Sequence, residues 1–116
     1  MNKVCFSKIC KNYGIRLHSF RSAEKYMKLV NLDPSKSPGY AVYQNNPIIL
    51  YDDERPIEEI RFTVAHELGH ILLGHLSYRQ KDGEIPEWAE HEANTFASVL
   101  IANEILQQCG KEDFTE

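Results

Sequence analysis

An α+β domain is predicted, with a small antiparallel sheet packed on two long helices, and three observations predict it. Tyr40-Ala41-Val42-Tyr43 and Ile48-Ile49-Leu50-Tyr51 are rich in β-branched and aromatic residues. They flank the turn-forming Gln44-Asn45-Asn46-Pro47, the pattern of a hairpin. Ile60, Val64, Leu68, Ile71 and Leu72 recur at helical spacing over 57–73, and Ala89, Ala93, Phe96, Ala97 and Leu100 over 87–107. With 116 residues, 42% of them apolar and 26% charged, the chain suits one globular domain with one core.

Taken in order, residues 1–37 form an N-terminal segment holding one or two helices. Within it, Ile15 and Leu17 alternate over 14–20 as in a short strand. Ser22 opens a helix that closes on Asn31 before Pro34, with Tyr26, Leu29 and Val30 as its core stripe. The central part, 38–107, contains the hairpin and both long helices. Pro56 fits the first turn of the first long helix, Glu58 and Glu59 suit the positive end of its dipole, and Gly74 suits its stop. A loop through Lys81-Asp82-Gly83 leads to the second helix, and 108–116 is a polar tail.

Composition excludes several classes of function. The formal charge is 13 − 17 = −4, without any block of five like charges, so the basic stripe of a nucleic-acid binder is missing. The longest uncharged, mainly apolar stretch, 68–78, falls short of the ~20 residues of a membrane span. Charges at Lys3 and Lys8 occupy the place of a secretory apolar run, so a cytoplasmic protein is expected. Cys5, Cys10 and Cys109 have neither the number nor the spacing of a disulfide framework or a structural zinc site, and read as buried or incidental thiols.

The first long helix contains His66-Glu67-Leu68-Gly69-His70. On a helix, residues four apart differ by about 40° around the axis and one turn along it, so both imidazoles can point at one cation. Glu67 lies about 100° from His66, on the flank of that face. There it would reach a water held by the ion rather than the ion itself. Zinc lowers the pKa of such a water toward ~7, and an adjacent carboxylate can act as general base.

A catalytic zinc site takes three protein ligands and leaves one position open. His75 is a poor third ligand, since a continued helix would carry it about 180° from His66. It reads as a helix-end or loop histidine. The second helix is the better source: Glu90 and Glu92 flank its apolar face on opposite sides, and His91 points away. Helical geometry leaves the two glutamates as equal candidates.

His66-Glu67-Leu68-Gly69-His70-Ile71-Leu72-Leu73-Gly74-His75, preceded by Arg61-Phe62-Thr63-Val64-Ala65, resembles the ImmA/IrrE family of metallo-endopeptidases. Glu92-Ala93-Asn94-Thr95-Phe96-Ala97-Ser98-Val99-Leu100 is similar to that family's second signature, and the resemblance covers about 38–103. It implies a zincin-like fold and zinc held by His66, His70 and Glu92, with Glu67 as the catalytic base. It further implies cleavage of a helix-turn-helix repressor of a phage or mobile element. One departure is Ile101-Ala102-Asn103-Glu104, where the family often has a proline after its aliphatic pair.

Tyr40, Tyr43 and Tyr78 are candidate hydrogen-bond donors to an oxyanion, and Arg79 a candidate substrate-orienting group. Trp88 reads as a core or helix-docking residue. Residues 48–51, or the neighbouring strand, could align a peptide by β-augmentation. The alternative function is a regulatory module that binds a repressor without cleaving it and keeps zinc for structure. Glu67 argues against it, because a structural site has no need of a carboxylate beside an open position.

Overall fold

The computed structural model describes residues 6–44, 46–76 and 85–105. In chain order the described elements are α1 (Phe6–Asn12), β1 (Arg16–Ser19), α2 (Glu24–Leu29), β2 (Gly39–Gln44), β3 (Asn46–Tyr51), α3 (Ile57–Leu72) and α4 (Glu87–Ile105). The α+β class is as expected. The tail 108–116, Cys5, Cys109, Tyr78 and Arg79 lie outside the described residues. Among the described residues no helix is long and apolar enough to cross a membrane.

The sheet is mixed rather than purely antiparallel, with strand order β1-β3-β2. β2 and β3 form the expected hairpin, from Gly39↔Tyr51 to Gln44↔Asn46, so the strands extend further into the predicted four-residue turn than local pattern implied. β1 adds the parallel partner, from Arg16↔Ile48 to Ser19↔Tyr51. A parallel pair needs a long crossover, here the stretch holding α2 and β2, and no local signal in either strand announces it.

The position of β3 explains its unbroken apolar run. Ile49 and Tyr51 pack with Phe6 and Cys10 of α1 and with Val64, Ala65 and Leu68 of α3. Ile48 and Leu50 face the other way, onto Phe20, Ala23 and Met27. A central strand covered on both faces has no polar side to present.

α2 departs from its expected stripe. Met27 and Ala23 are buried, whereas Leu29 is 79% exposed and Val30 sits near the surface. Ser22 does not cap it: the N-cap is Ala23, and Ser22 Oγ instead donates to the Ser19 carbonyl. Asn31 ends the segment with φ 61°, a left-handed conformation that asparagine tolerates.

α3 follows its pattern more closely. Pro56 stands at the N-cap with φ −57°, just ahead of the predicted first turn. Ile60, Val64 and Leu68 are buried, but Leu72 lies at the exposed end of the helix. α4 meets α3 through Ala89, Ala93 and Ala97, all fully buried, with Phe96 and Leu100 packed on the same core. These small residues let the two helices come close together.

On the other side of α3 lies β2. A Cβ on Gly39 would overlap Thr63 Cγ2, come within 3.0 Å of the Leu50 carbonyl oxygen and reach 3.6 Å from Glu67 Cγ. The Leu50 carbonyl belongs to the backbone of the paired strand, so this neighbour cannot easily yield. Gly39→Ala should therefore destabilise the fold by about 1–3 kcal/mol, read as a lower urea midpoint. An unchanged midpoint would mean that β2 does not sit this tightly against α3.

Candidate metal centre

α3 carries His66 and His70 one turn apart on the face turned toward α4 and the cleft beside β2. Their Nε2 atoms are 3.0 Å apart, and the rings meet edge to face at 4.5 Å between centroids. Glu90 of α4 completes the group. Its Oε1 lies 3.3 Å from His66 Nε2 and in still closer contact with His70 Nε2. All three ligand atoms fall within 4.8 Å of one another.

The surroundings differ for each side chain. His70 is only 1% exposed. Burial, reinforced by the neighbouring His66, holds its pKa down to about 4 against the opposing pull of the Glu90 carboxylate. It is therefore neutral near pH 7, with a lone pair available. His66 is partly exposed and its ring stacks near Phe62. Glu67 is buried, one residue round the helix, against the start of β2.

The donor set fits a divalent cation. Two imidazole nitrogens and one carboxylate oxygen are the ligand types that zinc accepts in open sites. Among the described residues, His66 Nδ1 and Glu90 Oε1 are buried without a hydrogen-bond partner in bonding geometry. An oxygen so placed beside two imidazoles is satisfied by a shared cation.

These groups line a cleft of about 380 Å³, whose wall includes Gly39, Tyr40, Thr63, Glu67, Glu90 and Asn94. A larger cavity of about 510 Å³ lies beside α2, around Phe20, Met27 and Asp52, away from the histidines. Among the described residues it contains no comparable group of ligand atoms.

Of the expected residues, the structure brings together His66, His70 and Glu67, and it puts Glu90 rather than Glu92 beside the histidines. Glu92 Oε1 sits 2.8 Å from Nε2 of His75. The two glutamates flank opposite sides of the alanine stripe, and the direction in which α4 crosses α3 turns the Glu90 flank to the cleft. His75 stands in the turn that ends α3, as expected, and is buried there. Trp88 is half-exposed, meeting His75 edge to face at 5.7 Å instead of entering the core. The Tyr40 hydroxyl donates to the Asp33 carbonyl at 2.6 Å, which occupies its proton. His91 is exposed on α4, as its helical angle requires.

The family profile described as the IrrE N-terminal-like domain matches residues 10–110. No curated protein and no solved structure matches the chain.

The neutral state of His70 makes the metal-free fold sensitive to acid. An unfolded chain protonates this histidine near 6.5, whereas the folded protein resists protonation down to about 4. Between those values the unfolded state binds the extra proton, so stability falls as pH is lowered through that window. Urea midpoints of the metal-free protein should decline from about pH 6.5 toward 4, and decline less steeply in His70→Gln. Equal slopes for the two proteins would contradict the assignment.

Proposed function

The chain belongs to the IrrE N-terminal-like family, the ImmA/IrrE metallopeptidases, and from that premise we propose that it is a zinc-dependent endopeptidase with a narrow protein substrate. The observation that carries this reading is the convergence of His66 Nε2, His70 Nε2 and Glu90 Oε1 in a cleft that also contains Glu67. His66, His70 and Glu90 hold the ion in this proposal, and Glu90 replaces Glu92 as the third ligand. When bound, zinc supplies Lewis acidity toward the scissile carbonyl and lowers the pKa of a water to about 7.

Glu67 accepts the proton of the attacking water and passes it to the departing amine. Its burial at the junction of α3 and β2 keeps the carboxylate in one place and excludes bulk solvent from it. The peptide is aligned along β2. Among the described strands β3 is paired on both sides and cannot accept another, whereas β2 stands last in the order and its first residues, Gly39 and Tyr40, line the cleft. The substrate we propose is a helix-turn-helix repressor of a phage or mobile element, met in the cytoplasm, as the family resemblance implies.

The test pairs the purified protein with a helix-turn-helix repressor encoded beside its gene. Glu67→Gln should retain zinc but cleave about 10²–10⁴-fold more slowly, the usual contribution of a general base. Glu90→Ala should lose both zinc affinity and cleavage. Undiminished cleavage by Glu67→Gln would contradict the assigned base, and full repressor release without any cleavage would leave binding as the activity.

A further inference from the structure

His70 and His75 are both 1% exposed, yet each is a polar ring that must satisfy two nitrogens inside the protein. Their Nδ1 atoms are 2.9 Å apart, and Nε2 of His75 is 2.8 Å from Glu92 Oε1. His70, His75 and Glu92 thus form a continuous hydrogen-bonded chain from the ligand cluster to the far flank of α4. We propose that His75 and Glu92 are positioning residues, which hold the His70 imidazole in the tautomer and orientation that a metal ion requires. The inference rests on reading His66, His70 and Glu90 as the metal centre.

The proton assignments follow from one end of the chain. For Nε2 of His70 to offer a lone pair to a cation, its proton must reside on Nδ1. Nδ1–H then donates to His75 Nδ1, which must be the acceptor. His75 carries its proton on Nε2 and donates it to the Glu92 carboxylate. Such outer partners fix the ring of a ligating histidine and raise its basicity. Among the described residues His66 has no equivalent support, since its Nδ1 lacks a partner.

The backbone is built to deliver His75. α3 ends in a Schellman turn: the amide of His75 donates to the His70 carbonyl at 2.8 Å, and that of Gly74 to the Ile71 carbonyl at 3.2 Å. Gly74 takes φ 77° to make this reversal. The chain therefore folds back, and His75 meets His70 instead of lying half a turn away. The Trp88 ring stands edge-on to His75 and restricts it from the side of α4.

Two measurements on the full chain test the proposal: zinc affinity by competition with a chromophoric chelator, and ring ¹⁵N chemical shifts of the metal-free protein. Expected are an Nδ1–H tautomer at His70 and an Nε2–H tautomer at His75. His75→Phe should weaken zinc binding about 10–100-fold, the usual effect of losing such a partner. His75→Gln, whose amide oxygen can accept the His70 proton, should recover part of that loss. Glu92→Ala, at a largely exposed carboxylate, should weaken binding by less than His75→Phe and shift the His75 tautomer balance. Should His75→Phe not fold, Glu92→Ala and the tautomers decide.

Zinc affinities unchanged in folded His75→Phe and Glu92→Ala would overturn the proposal. So would a larger loss in Glu92→Ala than in Glu90→Ala, which would make Glu92 a ligand itself. If the unchanged protein binds no zinc, the metal-centre reading fails. The tautomers still judge the relay separately, and a His70 proton on Nε2 would overturn it.

Discussion

The close packing of α4 on α3 is the constraint on which everything else in this protein depends. Three alanines one turn apart, Ala89, Ala93 and Ala97, are fully buried at that contact. The alanines add little bulk, and Phe96 fits against Gly69 of α3, which has no side chain, so a carboxylate on one helix meets imidazoles on the other. The same contact removes His70 from water, which depresses its pKa and keeps its nitrogen lone pair available near neutral pH. Helix packing thus brings together a group of ligand atoms suited to a cation.

Because α4 presents a flank to each side of this contact, it serves two histidine systems at once. The Glu90 flank faces the cleft beside β2 and the imidazoles of His66 and His70. The Glu92 flank faces the turn after α3, where Gly74 reverses the chain and returns His75 to His70. His70 is the point at which the two meet. The buried ring with a neighbour on each nitrogen is more constrained than His66, whose partly exposed ring rests beside Phe62. One side of the site is therefore hydrogen-bonded into the interior, and the other opens toward the cleft.

Much of this was legible in the chain itself, and the exceptions have physical causes. The His66–His70 spacing is a property of a single helix, so periodicity alone aligned both residues with Glu67 beside them. The alanine stripe of α4 was readable for the same reason. The choice between Glu90 and Glu92 was not, because it depends on how two helices cross, and the family resemblance pointed to the flank that the structure turns away from the cleft. The contact of His75 with His70 is not legible from helical angles, because the left-handed Gly74 that stops the helix also redirects the next side chain. The alternation of Ile15 and Leu17 marks β1 as a strand, but its parallel pairing with β3 is non-local and leaves no mark on either segment. In α2 the exposed Leu29 shows that an apolar stripe on a six-residue helix is a weak guide to its buried face.

In the proposed site one cation is shared by His66, His70 and Glu90. The most direct measurement is anomalous diffraction, recorded on both sides of the zinc absorption edge, from crystals grown with zinc. A single strong peak is expected at this site, bonded to Nε2 of both histidines and to the Glu90 carboxylate, with His75 and Glu92 behind His70 and not in contact with the ion. A peak bonded to Glu92 or His75, or none near the two histidines, would contradict it.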